Sequence, residues 1–200
     1  QIARRMDKIA ADIVYTFLNG VFNKATTDAE VNKTRGLLTA ITTNAIPMAS
    51  KPLTYWKVAE GLKAIHDQGA RTDNIVLGVD ATTLLQLNYD ASMNKLTVVP
   101  GGRDVNGINI MTVVTALGEV GVALLDSLPA GTAVLFDPEI MSPVYQPVPG
   151  KGNFFLEQLS KVGAGETYQI FGQIGLDHGP EWMSAKFTGI STDLPSALGN

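Results

Sequence analysis

Ile2, Met6, Ile9, Ile13 and Phe17 recur at spacings of four, three, four and four, and Ala10 and Val14 join them. That is the period of one apolar face of an α-helix. Arg5, Lys8 and Asp12 fall on the other side. Asn19-Gly20 ends the pattern, because either residue tolerates the left-handed conformation of a C-terminal cap. The helix predicted over Arg4 to Gly20 is about 25–30 Å long at ~1.5 Å per residue. A strut of that length crosses a small domain from end to end, and a chain of 200 residues, enough for one domain or two small lobes, must arrange its other elements along it.

Asn23 to Asn32 reads as a polar loop, TRGLLTAI (Thr34 to Ile41) as a short apolar segment, and Asn44 to Pro52 as a connection with two prolines. A second helix is predicted from the N-cap Thr54 to Gln68, with Val58, Leu62 and Ile65 inward and Gly69 as its stop. Ile75 to Val79 reads as a strand that runs into a helix capped by Asp80. Short strands follow near Leu96 to Val99, Ile108 to Val114, Glu119 to Leu125 and Thr132 to Phe136. Gly101-Gly102, Asn106-Gly107, Pro129 to Gly131 and Asp137-Pro138 mark the turns between them. Pro143, Pro147 and Pro149 with Gly150 and Gly152 form the best internal boundary. The fold class is α+β.

From Tyr168 to Leu176 one face carries Tyr168, Ile170, Gly172, Ile174 and Leu176, the alternation of a pleated strand. A break at His178-Gly179-Pro180 precedes a second strand-like run from Trp182 to Ile190. The expectation is a long closing hairpin over Thr167 to Ile190. This pair carries no usable chemistry.

The search for chemistry elsewhere is equally sparse. His66 and His178 are the two histidines, and there is no cysteine, so thiolate nucleophiles, thiolate metal sites and disulfides are excluded. His66 sits well against the negative end of a helix dipole, and His178 beside Asp177 reads as a polar loop contact. Pro100-Gly101-Gly102-Arg103-Asp104 has no helix after it to hold phosphate, and Gly150-Lys151-Gly152 lacks P-loop spacing. No metal and no cofactor is expected. A net charge of −4 argues against a broad basic face for nucleic acid. Apolar runs fall short of the ~20 residues that span a bilayer, and no membrane partner is expected. Charged residues are 17% of the chain, below the usual ~25%, which hints at surface meant to be covered by partners.

The order of these segments resembles the major capsid proteins of tailed bacteriophages with the Hong Kong ninety-seven fold, in the short form without insertion domains. Arg4 to Gly20 is similar to the family's spine helix, and TRGLLTAI to the glycine-led segment after it. TYWKVAEGLKAIHDQG (Thr54 to Gly69) with TDNIVLGVDATTLLQL (Thr72 to Leu87) resembles the axial domain. GVALLDSLPAGTAVLFDPEIMSPVYQPVPG (Gly121 to Gly150) resembles its later strands, and Phe155 to Ile190 the closing peripheral strands. The resemblance implies a peripheral domain begun by 1–52, an axial domain at 53–143, and peripheral return strands with the closing hairpin at 144–200. It further implies a non-enzymatic subunit that assembles with itself into homo-hexamers and homo-pentamers around double-stranded DNA. Scaffold and portal proteins would be further partners, and the virion the destination after synthesis in the bacterial cytoplasm. The family's N-terminal arm and extended loop precede the spine helix; the sequence opens on Gln1, which leads to the expectation of residues upstream. Arg4, Arg5, Lys8, His178, Trp182 and Lys186 are the candidate subunit-interface residues.

Three alternatives stay open. An encapsulin-like nanocompartment would have the same fold around cargo enzymes. An α+β hydrolase or transferase would bring two of Asp80, Asp126 and Asp137 within ~5 to 10 Å. A ligand-binding module would place Trp56 or Trp182 at a pocket, although burial in a core or interface is their default.

Overall fold

The structure, a computed structural model, describes residues 2–27, 29–93, 98–105, 108–161, 163–165 and 167–194. The expected amphipathic helix is α1 (Ile2–Asn19). Its buried residue is Leu18, near the C-terminal end. There it meets α2 (Leu37–Ala40), which forms from the apolar run after Gly36. The two chain segments touch backbone to backbone. Gly36 N–H donates to Gly20 O at 2.8 Å, and a Cβ on Gly36 would lie 2.4 Å from Gly20 N. Glycine at both crossings permits this approach.

The body is a seven-stranded mixed sheet in the order β1-β11-β6-β2-β5-β4-β3. Its members are β1 (Ala45–Pro47), β2 (Val76–Val79), β3 (Val98–Val105), β4 (Ile108–Thr115), β5 (Gly118–Leu124), β6 (Thr132–Phe136) and β11 (Ala185–Thr188). β2 is parallel to β5 and β1 to β11; the other pairs are antiparallel. Alternation along the central strands sends side chains to two cores. Leu77, Ala133, Leu135, Ala185 and Phe187 share a cluster with the inward face of α3 (Tyr55–Asp67), which is Val58, Leu62 and Ile65. Val134, between Ala133 and Leu135, joins Leu18, Leu37, Leu38, Ile41 and Leu128 on the opposite face. Each fully buried leucine contributes roughly 1.5–3 kcal/mol by area removed from water.

The helix signals act as read. Thr54 Oγ1 accepts from Lys57 N–H at 3.4 Å to start α3, and Gly69 at φ 86° follows its end. Asp80 Oδ1 accepts from Thr83 N–H at 3.0 Å to start α4 (Ala81–Met93). Gly61 lets α3 press on the sheet: a Cβ there would lie 2.6 Å from Phe187 Cζ and 2.7 Å from Leu135 Cδ1.

Four strands form two small ribbons outside this sheet. β7 (Ser142–Tyr145) pairs antiparallel with β10 (Ile174–Asp177), and β8 (Phe154–Gln158) with β9 (Tyr168–Gly172). The closing hairpin is therefore not formed. The run Tyr168 to Leu176 breaks at Gln173 into β9 and β10, which pair with strands upstream, while β11 enters the seven-stranded sheet between β1 and β6. Ala185 and Phe187 are fully buried there, a burial that no two-stranded hairpin offers. β1 from the first segment and β11 from the last share one sheet with residues 76–136. Two smaller differences follow the same logic. The two-proline connection contains β1, an edge strand where Pro47 is tolerated. Gly101-Gly102 lies within β3, where the register shifts between Val99 and Arg103, so it marks a bulge and not a turn. Asn106-Gly107 and Leu96 lie outside the described residues.

Candidate assembly surface

α1 lines two cavities together with strands of the ribbons. Its apolar face (Ile2, Met6, Ile9, Ala10, Ile13) and Phe154, Phe155, Leu156 and Ile170 line an apolar cleft of about 260 Å³. Ile2, Met6, Phe154 and Leu156 are each at least 40% exposed, although they face a common space. A wider groove of about 1050 Å³ continues between α1, residues 22–24 and 30–34, and β7 with β10, where Phe22, Val31, Val144 and Tyr145 are exposed.

The polar flank of α1 carries Arg4, Arg5 and Lys8, all exposed. The ion pairs among the described residues are Lys57–Glu60, Lys63–Asp67 and Lys151–Glu157, and none involves that flank. His178 and Trp182 lie on the segment between β10 and β11, and Lys186 lies in β11. His178 is half-buried, with Nδ1 2.7 Å from Gly179 O, which places the ring proton on Nδ1. Trp182 is 37% exposed, and its carbonyl accepts from Asn44 Nδ2 at 2.8 Å. Lys186 is half-buried and its Nζ donates to Leu38 O at 2.8 Å, a tie to α2 within the subunit. No described hydrogen bond joins this group to Arg4, Arg5 or Lys8.

The sequence reading missed Glu181, beside Trp182. Its Oε2 accepts from Thr42 N–H at 2.7 Å and Thr43 N–H at 3.1 Å, and Oε1 accepts from the Thr43 hydroxyl. Partial burial pushes its carboxyl pKa up, but the Thr42 N–H and the other donors from Thr43 and Thr42 outweigh it and bring the value down to about 2. Asn44 complements the clasp by donating to Trp182 O and Ser184 O and by accepting Lys186 N–H on its carbonyl at 3.0 Å. The partners are about 140 residues apart, and a lone Glu after Pro180 gives no local signal of such a contact.

The residues of the alternative readings are scattered. Asp80 follows β2 and Asp126 follows β5 at one end of the parallel pair, whereas Asp137 follows β6, antiparallel to β2, at the other. Asp80 and Asp137 both cap turns, Asp137 Oδ1 accepting from Glu139 N–H at 2.9 Å. Trp56 is 79% exposed, contrary to core burial, and neither tryptophan lines a described cavity. Among the described residues, no three of His, Cys, Asp and Glu are grouped to hold a metal, and no helix is long and apolar enough to cross a membrane.

The fold is similar to that of a solved encapsulin. The holo-SrpI encapsulin complex from Synechococcus elongatus matches at a TM-score of 0.65 and 13% identity, over 82% of this chain and 60% of that one. The fold is thus that of the encapsulin and Hong Kong ninety-seven type of shell subunit, and the chain spans 60% of the encapsulin's length. A virus-like particle from Pyrococcus furiosus aligns with a TM-score of 0.41 and 12% identity, over 73% of this chain and 55% of that one. Residues 1–191 match the family described as SU10 major capsid protein, and the chain belongs to that family. No curated protein sequence matches it.

Proposed function

We propose that this chain is a structural subunit of an icosahedral capsid of a tailed phage or prophage, self-assembling into hexamers and pentamers around double-stranded DNA. The capsid family to which it belongs supports this reading. The observation that carries it is the uncovered apolar cleft between α1 and the β8–β9 ribbon. In a monomer that cleft is a liability; in a shell a neighbouring copy covers it, and many modest interfaces of this kind hold a closed assembly together. Under this reading α1 is the spine helix, α1 with the two ribbons is the peripheral domain, and the seven-stranded sheet with α3 and α4 is the axial domain. Arg4, Arg5, Lys8 and Trp182 face neighbouring copies, whereas His178 and Lys186 serve contacts within the subunit. DNA is confined by the shell without sequence-specific contacts, which a net charge of −4 permits. Scaffold and portal proteins are the further partners, and the assembled protein resides in the virion after synthesis in the bacterial cytoplasm.

Electron microscopy and analytical ultracentrifugation of the purified chain test the proposal. Rings or closed shells are expected. A species that stays monomeric at high concentration and in crowding agents refutes it. Nuclease-protected DNA inside the particles, against a co-purifying cargo enzyme, separates a capsid from a nanocompartment.

A further inference from the structure

Two connectors join the seven-stranded sheet to the β7–β10 ribbon. Residues 137–141 lead out from β6 to β7, and residues 178–184 lead back from β10 to β11. Both are short and internally bonded. Asp137 closes the outgoing one on Glu139 N–H, and on the incoming one Asp177 Oδ1 accepts from Gly179 N–H at 3.0 Å. They also touch each other: a Cβ on Gly179 would lie 3.3 Å from Ile140 O. Among the described hydrogen bonds, the incoming connector is fastened to the body by Glu181 on Thr42 and Thr43, with Asn44 returning bonds to Trp182 and Ser184, whereas the outgoing one packs Met141 against the cluster of Leu18 and Leu38. Thr42 and Thr43 lead directly into β1, the edge strand that pairs with β11. The clasp thus fixes the direction of the incoming connector relative to the sheet it enters.

We infer that Glu181 is a positioning residue that sets the angle between the ribbon part and the seven-stranded sheet, and through it the curvature of the assembled shell. This rests on the shell-subunit reading. A subunit repeated around a closed surface passes on its internal angle at every contact, so a spread of a few degrees in each copy becomes a spread of particle sizes. A carboxylate that accepts two backbone N–H groups and a hydroxyl holds one geometry; a side chain unable to accept them leaves the connector held by the Asn44 bonds alone and freer to turn about Gly179, whose φ of 64° is open to glycine.

The test compares wild type, Glu181→Ala, Glu181→Gln and Ile65→Val in the full chain, the last being a core truncation in α3 remote from the clasp. Hydrogen exchange at the Thr42 and Thr43 amides reads the clasp, small-angle scattering of unassembled subunits reads the angle, and electron microscopy reads particle diameter. Glu181→Ala is expected to speed exchange at both amides at least tenfold, broaden the scattering-derived size distribution and yield mixed diameters. Glu181→Gln is expected to fall between it and wild type, and Ile65→Val to keep one diameter. Unchanged scattering for Glu181→Ala, uniform wild-type diameters despite faster exchange, or equal broadening by Ile65→Val would each overturn the inference. If wild type forms no shell while the scattering of Glu181→Ala changes, the shell reading fails and the control of the angle stands.

Discussion

Replacing Gly36 with Ala drives a methyl group into the end of α1. The new carbon would lie 2.4 Å from Gly20 N and 2.8 Å from the carbonyl carbon and oxygen of Leu18, all backbone atoms that no rotamer change can move. Reaching ordinary contact requires the last turn of α1 to retreat by about 1 Å, which strains the Gly36 N–H to Gly20 O bond and the Thr39 hydroxyl on the same oxygen. Overpacking of this kind costs about 1–3 kcal/mol. The backbone at Gly36, φ −83° and ψ 161°, suits alanine, so lower unfolded-state entropy offsets ~0.4–1 kcal/mol of that. A net loss of about 1–2 kcal/mol is expected, which at a urea m-value of ~2 kcal/mol/M lowers the midpoint by about 0.5–1 M. Urea unfolding followed by tryptophan fluorescence measures it. Gly165→Ala is the control: a Cβ there meets nothing within 4 Å and should leave the midpoint unchanged or slightly raised. If Gly36→Ala matches the control, the close crossing of α1 and α2 is wrong.

Three further outcomes follow from the packing and the clasp. Phe187, fully buried in β11, should cost about 3–5 kcal/mol when truncated to Ala, measured by urea unfolding. Glu181 is depressed from 4.5 to about 2, so its contribution is fully present above pH 4.5 and lost as pH falls through about 2; the stability gap between wild type and Glu181→Gln, followed by acid titration of unfolding, should close over that window. Met6→Asp and Leu156→Asp alter side chains 58% and 50% exposed, so each should change monomer stability by less than ~0.5 kcal/mol yet block sedimentation of assembled particles.

Local signals told the elements of this chain, and long-range pairing is what they left open. Thr54, Gly69 and Asp80 act within one turn of their own position, and each cap is where the residue type places it. The face of α1 likewise follows from a spacing of three and four. Partner choice for a strand does not, because a period of two gives the face of Tyr168 to Leu176 and says nothing about whether β8, β7 or β11 lies beside it. Burial decided that: Phe187 and Ala185 go where a sheet covers both faces, and Phe155 and Phe171 stack at 5.6 Å between centroids across β8 and β9. At the candidate surface, Arg4, Arg5 and Lys8 were legible as an exposed flank, but Lys186 and Glu181 were not legible as ties, since their partners, Leu38 and Thr42 to Thr43, are far off in sequence. The apolar cleft was half visible. The stripe on α1 could be read; that its covering is incomplete needed the position of Phe154 and Leu156.

The most direct measurement of the central claim is electron microscopy of the purified chain, at concentrations where sedimentation reports large species. The account predicts closed shells built from hexamers and pentamers, with α1 and the β8–β9 ribbon in contact with neighbouring copies. A monodisperse monomer with that cleft open to solvent would contradict it.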